Sequence, residues 1–438
     1  MAELVIDPVT RISGIAAIRV VTDEEGNVEA RFQAYGYRGF EQIAVGCHLD
    51  NLLPLVSRIC GRDSVFHQVA VASAVEVATG TRPPQEAMNV RLLALWAQLF
   101  ERHAVCLTVH SLPDLLFPSS DPGLRNLVSI YRVDEEVVRR LMALKALGTD
   151  VLRQAGGAAV HPVNIRPGGA FRTLSAEVRK ELLGKLDEAA PLLMETGKLI
   201  KLLLRRNEEL VNGLANLSAP SLALRGDGSM ELTGERIAVS GADGVELAAY
   251  GCQELAGKIK ESNSRHSHVR HAELEGVGPA RVGPLARLNV NGGYGSPLAD
   301  EELEEIKSQW GFPVQRGLVG HALRILEMMH AWHRMRELLQ AEPLEDLGGG
   351  VQASAGKAVG AVEAPEGMLI YEVEVGDDGL LKRMSIVSPL QFNLHLLERS
   401  LSESAGSLLA GSEGESRATD LLQVAVRSYA PCIPCGIH

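Results

Sequence analysis

The chain is predicted to be an α+β protein, predominantly a helical bundle with an N-terminal antiparallel sheet and small peripheral strands. Three observations predict this. The first 35 residues carry β-branched runs parted by turn residues. Beyond Gly39, apolar residues recur at three- and four-residue spacing through most of the chain. No charge-rich linker and no fixed-period repeat divides it, so 1–438 reads as one packed unit. Within it, 1–35 form strands, 36–215 a helical core, 216–300 a mixed region, and 301–438 helices with a C-terminal cysteine motif.

In order along the chain, LVIDPV, IAAIRVVTD and VEARFQAYG read as strands, with EEGN as a turn. GFEQIAVGCHLDNLLPLVSRIC reads as one helix ending at Cys60-Gly61. DSVFHQVAVASAVEVATG is a second, with Asp63 as N-cap. A third opens on Pro83-Pro84 and runs toward His110. Residues 123–155 and 174–212 give further long helices, with a kink or break expected at Pro191. Residues 218–300 are mixed, 315–340 are helical, and 368–387 read as a hairpin on a GDDG turn. Two helices, 389–403 and about 416–428, precede the C-terminal motif. The Gly-, Ser- and Ala-rich segments Gly348–Gly360 and Ser402–Ser416 read as flexible.

Of the 438 residues, 46% are hydrophobic and 22% charged, which is globular composition. Lys and Arg total 43 against 55 Asp and Glu, a formal charge of −12. That balance argues against a nucleic-acid groove or direct contact with an anionic membrane. Aromatic residues at 4% weaken a base-stacking surface as well. No apolar run approaches the roughly 18 residues of a membrane span, and no signal peptide is visible. A soluble, cytoplasmic protein is expected.

Six cysteines are too few for a disulfide scaffold in a chain of this size, or for several iron–sulfur clusters. Cys47, Cys106 and Cys252 stand in apolar contexts and read as buried small hydrophobes. Cys432-Ile433-Pro434-Cys435 is a C-x-x-C turn, able to present two thiolates to one metal or to form a reducible pair. His438 follows three residues later. Cys60 and Asp63 make a second fragment, at the junction of two helices. If the fragments face each other, three thiolates and one carboxylate result, a set suited to Ni, Fe or Zn. The plainer alternative is a lone buried Cys beside a capping Asp. A zinc site lacks a second C-x-x-C. The P-loop-like GVQASAGKA at 350–358 has the wrong spacing and reads as a loop. Arg265–His271 is basic and His-rich but reads as a solvated loop, and His67, His103 and His110 read as core histidines.

The two fragments, at opposite ends of the chain, resemble the R-x-C-G-x-C and D-P-C-x-x-C-x-x-H motifs of [NiFe] hydrogenase large subunits. Arg38-Gly39-Phe40-Glu41, His161-Pro162 with Gly168-Gly169, Val282–Asn289 (VGPLARLN), Glu363–Gly367 (EAPEG) and Ser388–Asn393 (SPLQFN) resemble further segments of that family in the same order. The compact length is most similar to the cytoplasmic branch with sulfhydrogenases and NAD- or deazaflavin-linked enzymes. The resemblance implies Ni and Fe held through Cys60, Cys432, Cys435 and the fourth position, here Asp63. It implies Mg²⁺ near Glu41 and His438, a catalytic pocket role for Asp114, and, at a His such as His438, either the cut end of a matured precursor or a gene without the extension. It also implies electron-transfer partners, first among them an iron–sulfur small subunit, since this chain has no cluster ligands of its own.

Five positions depart from the family pattern. Ser13 stands for a proton-relay Glu, Asp63 for a Cys, Glu366 for an Arg above the metals, Leu390 for a Thr that bonds a cyanide, and Ala430 for an Asp. The scaffold segments stay close to the pattern. The expected function is that of a hydrogenase-like oxidoreductase large subunit, with two-electron chemistry on H₂, protons or a derived small substrate. Cys435 or Glu366 is the expected base, ordinary H₂ turnover is expected to be poor, and a non-standard or single-metal centre is as well matched as the usual one. The alternative is a non-catalytic scaffold or coupling subunit with a vacant or structural site. Glu366 pairing with an arginine such as Arg62 is the simplest fate for that carboxylate.

Overall fold

The structure, a computed structural model, describes residues 2–410 and 414–438. Strands β1 (Ala2–Ile6), β2 (Ala16–Thr22) and β3 (Val28–Ala34) form an antiparallel sheet in that order. Alternation along β3 buries Ala30, Phe32 and Ala34 against the core. The single helix expected over 39–60 is instead α1 (Phe40–Ile43) and α2 (Leu49–Val56). The break falls where Gly46 N–H donates to Leu381 O and Leu381 N–H to Cys47 O, so a neighbouring strand takes the backbone groups a helix would need.

Helices α3 (Ser64–Thr79) and α4 (Gln85–Val105) follow as predicted. α4 continues through a π-helical turn, Cys106–Ser111, into α5 (Leu112–Leu116). By length and hydropathy Gln85–Leu116 passes as a membrane span, contrary to the sequence reading, but 78% of its apolar window is buried in the protein. It is the central helix of the bundle, and its buried Arg91 and Arg102 both pair with carboxylates. Around it lie α6 (Leu127–Val133), α7 (Glu135–Gly156), the short pair β4 (Ile165–Arg166) and β5 (Gly169–Ala170), α8 (Ala176–Arg206) and α9 (Glu208–Gly213). α8 is not broken at Pro191. The proline lies on its exposed side, where water can serve the carbonyl that loses its partner.

The mixed region contains the sheet β6 (Ser221–Leu224), β7 (Arg236–Ser240) and β8 (Glu246–Gly251), then α10 (Cys252–Ala256), the pair β9 (Ile259–Ser262) and β10 (His271–Leu274), α11 (Pro284–Asn291) and α12 (Pro297–Trp310). The chain closes with α13 (Gly320–Gln340), the sheet β11 (Gly356–Ala364), β12 (Gly367–Val375) and β13 (Leu381–Val387), and helices α14 (Pro389–Ala410), α15 (Gly414–Tyr429) and α16 (Ile433–Gly436). β12 and β13 are the predicted hairpin. β11 begins inside the segment read as flexible. A Cβ on Gly356 would collide with Ala78 O, and one on Gly360 with Ala70 O, so these glycines let the strand lie against α3. The segment Ser402–Ser416 is likewise helical to Ala410 and from Gly414, and 411–413 lie outside the described residues. Cys106 is buried as expected, whereas Cys47 and Cys252 are only half-buried.

The Arg265–His271 segment is not a free loop. His266 Nε2 lies 2.7 Å from Glu398 Oε1 and His271 Nε2 lies 2.8 Å from Glu398 Oε2. Glu398 also accepts the Phe32 N–H at 2.9 Å, so one carboxylate ties β3 and the histidine segment to α14. Burial works against ionising Glu398, but the bonds from His271, His266 and Phe32 N–H outweigh it and hold its carboxyl below the ordinary range. A depressed folded-state pKa gives stability above the ordinary carboxylate pKa that is lost as pH falls through the depressed value. Glu398→Gln is expected to cost about 1–3 kcal/mol at neutral pH. In denaturant titrations the gap from the parent should shrink below about pH 4; a gap constant with pH would refute the assignment.

Candidate metal centre

Two loops from opposite ends of the chain meet. One is Cys60-Gly61-Arg62-Asp63, between α2 and α3; the other is Cys432-Ile433-Pro434-Cys435, entering α16. Backbone bonds fix the junction. Ile433 N–H donates to Ser13 O at 2.9 Å and Arg38 N–H to Ile437 O at 3.0 Å. The Arg38 guanidinium bonds both Ile59 O and Pro434 O, clamping one loop to the other. Gly14, at φ 102°, lets the chains touch, since a Cβ there would sit 2.7 Å from Ile433 Cβ. Ala430, in the left-handed region at φ 49°, turns the chain from α15 toward Cys432.

The expected donor atoms converge. Cys60 Sγ lies 3.6 Å from Cys432 Sγ and 3.3 Å from Asp63 Oδ2, and Cys435 Sγ lies 3.4 Å from the same oxygen. The four ligand atoms all fall within 4.8 Å of one another, and all four residues are buried. Cys432 and Cys435 are closed as a disulfide across their turn; as a dithiol the pair completes a set of three sulfurs and one carboxylate oxygen. Burial first, then the Asp63 charge, push the Cys60 thiol well above its usual range. A bound cation reverses that balance by favouring thiolate, so these donors fit a thiophilic divalent ion.

Asp63 stands at the N-cap position of α3 but makes no capping bond. Its other oxygen, Oδ1, accepts from Arg102 Nε at 2.8 Å, while Arg102 Nη2 donates to Glu366 Oε1 at 2.5 Å. Glu366 therefore pairs with Arg102 and not with Arg62, whose Nη1 donates to Ser13 Oγ at 3.0 Å. Arg102 is the residue the sequence reading missed. Its signal was there: an arginine in the apolar helical stretch LLALWAQLFERHAV, where an unpaired charge would be prohibitive.

Glu366 sits in the turn between β11 and β12. Arg287, from the VGPLARLN segment, donates to Ala364 O at 2.8 Å and Pro365 O at 3.0 Å. Arg287 is itself held by Glu327 and Glu363. A Cβ on Gly283 would meet Glu366 O at 2.7 Å, and one on Gly367 would meet Val282, so both glycines are required by close approach. Burial and the nearby Asp63 charge raise the Glu366 carboxyl against the pull of Arg102.

The remaining expected residues occupy neighbouring positions. Glu41 Oε1 accepts Ile386 N–H at 2.8 Å and lies 3.5 Å from His438 Nε2. Its Oε2 accepts from Arg270 at 2.9 Å. Burial alone would raise Glu41; His438, Ile386 N–H and Arg270 bring it down to about 2. Asp114 faces arginines rather than sulfurs, bonding Arg11 and, at 2.8 Å, Arg427. Leu390 is buried beside Gly436. His67 is a core histidine bonded to the Tyr371 hydroxyl at 2.6 Å, and its buried Nε2 has no partner among the described residues. His103 pairs with Glu327 at 2.6 Å.

The chain is similar to known proteins over its whole length. The family model described as HoxH, HoxL-like, matches residues 3–35, the N-terminal sheet. A vhu subunit of the F420-non-reducing hydrogenase of Methanocaldococcus jannaschii is 29% identical, over 92% of this chain and 99% of that protein. The alpha chain of sulfhydrogenase 2 of Pyrococcus furiosus is 28% identical, over 99% and 98%. A solved NAD⁺-reducing [NiFe]-hydrogenase in the H₂-reduced state superposes with a TM-score of 0.94 at 27% identity, covering 100% of both chains. The Ni-Fe-Se hydrogenase of D. vulgaris Hildenborough shares the fold at a TM-score of 0.82 and 19% identity, again over 100% of both chains. End-to-end similarity and two sulfur-bearing loops meeting at one buried point agree: over its whole length this chain is similar in sequence and fold to [NiFe] hydrogenase subunits.

Proposed function

We propose that this chain is the large subunit of a hydrogenase-type oxidoreductase complex, with its metal centre on Cys60, Asp63, Cys432 and Cys435. The convergence of those four ligand atoms within 4.8 Å carries the reading. Nickel and iron are the metals named for the similar structure, and soft sulfurs with one hard oxygen suit such ions. When bound, the centre supplies Lewis acidity and accepts or donates an electron pair.

The chain's own side chains supply the rest. Burial raises the Glu366 carboxyl toward the range where it can hold and release a proton, and Arg102 fixes its orientation. Cys435 is the second candidate base. Asp114 acts at one remove, ordering Arg11 and Arg427. Mg²⁺ at Glu41 and His438 belongs to the same reading and is supported by their 3.5 Å separation; Arg270 already neutralises one Glu41 oxygen, so such an ion would rely on the other. Among the described residues the four-residue group is the one metal-capable cluster. Electrons therefore leave through electron-transfer partners, the nearest being an iron–sulfur small subunit, in a cytoplasmic complex.

A second reading, in which the chain is a scaffold or coupling subunit, is favoured by one observation. Asp63 and Glu366 both pair with Arg102, so each carboxylate has a cationic partner without metal. Elemental analysis of the reduced, anaerobically purified complex separates the two. Cys432→Ser or Cys435→Ser is expected to abolish metal retention while Cys252→Ser keeps parental stoichiometry; equal metal in all three would refute the site. Stoichiometric Ni and Fe with cyanide infrared bands supports the enzyme, and a metal-free complex supports the scaffold. H₂-dependent dye reduction is expected to be weak, because Ser13 cannot serve as a carboxylate base near neutral pH and Glu366 places an acid where a guanidinium is expected. Brisk turnover would contradict that expectation.

A further inference from the structure

We infer that Arg102 is a positioning residue that makes Asp63 a one-oxygen donor to the sulfurs of Cys60, Cys432 and Cys435. The inference rests on the donor set proposed above. A free carboxylate offers two equivalent oxygens and can grip an ion with both. Here Arg102 Nε occupies Oδ1 at 2.8 Å, which leaves Oδ2 facing Cys60 Sγ at 3.3 Å and Cys435 Sγ at 3.4 Å.

The hold has two arms. Arg102 Nη2 bonds Glu366 Oε1 at 2.5 Å, and the turn carrying Glu366 is pinned by Arg287. The guanidinium therefore cannot swing about its bond to Asp63 without breaking a second ion pair. Arg102 projects from within α4, and all three members of the bridge are buried, so water cannot readily take over either arm. Lysine lacks this fork geometry: its ammonium is a point charge that does not fix two carboxylates in one plane. Residues that orient a metal ligand from behind typically change affinity about 10–100-fold when removed.

The test uses the full chain, reduced, freed of metal and titrated with Co²⁺ as a spectroscopic probe. The parent should show sulfur-to-cobalt charge transfer in the near-ultraviolet and the strong visible bands of a four-coordinate ion. Arg102→Leu should keep the charge-transfer band, weaken the visible bands as Asp63 contributes its second oxygen, and lower affinity about tenfold or more. Arg102→Lys should fall between the two. Glu366→Gln, which keeps the volume and weakens one arm, should shift the visible bands the same way by less. A merely structural role would lower the folded yield without altering coordination number. Should Arg102→Leu fail to fold, the Lys and Gln variants decide. If both give parental visible bands and affinity while Asp63→Asn changes them, Arg102 is not the positioning residue although the donor set stands. If Asp63→Asn also leaves bands and affinity unchanged, the donor set falls.

Discussion

Burying Asp63 and Glu366 in the same dry region would leave two negative charges with nothing to oppose them, and the Arg102 guanidinium is what makes the arrangement tenable. Its consequences reach outward. Because one guanidinium serves both carboxylates, a change at any one of positions 63, 102 and 366 alters the pairing left to the other two, so the three form a single electrostatic unit. Arg102 can occupy that place only because α4 is the buried centre of the bundle. Glu366 can reach it only because Arg287 and two closely packed glycines fix the β11–β12 turn.

The second requirement is mechanical. The two sulfur-bearing loops lie on short irregular segments, which alone would wander. They are held by backbone bonds to Ser13 and by the Arg38 clamp on Ile59 O and Pro434 O. The segments flanking the N-terminal strands thus help hold the candidate metal site together. Position 13 illustrates the point: its carbonyl still ties down Ile433, while its hydroxyl accepts a bond from Arg62 and carries no acid function.

Much of this was legible in the chain itself. β-branched runs gave the first sheet, three- and four-residue spacing gave α3 and α4, and a turn between strand-like runs gave the β12–β13 hairpin, because these elements are defined by their own residues. The cysteine motifs and their resemblance to known segments singled out the four residues that the fold brings together. Tertiary partners decided the rest. Gly46 leaves the helix because a distant strand claims the backbone there, and Gly356 and Gly360 mark tight packing rather than looseness. Pro191 is tolerated because it faces solvent. Arg102 had a local signal, a charge within an apolar helix, but its partners lie 39 and 264 residues away, and nothing local names them.

The contact between Cys60 and Cys432 spans 372 residues. During translation the first thiol and Asp63 emerge long before their counterparts exist, and nearly all of the bundle must be made before the pocket can close. The four-donor set proposed above is therefore complete only once residue 435 has been made. A prematurely terminated product would present a solitary thiol and an acid, with no means of completing the cage.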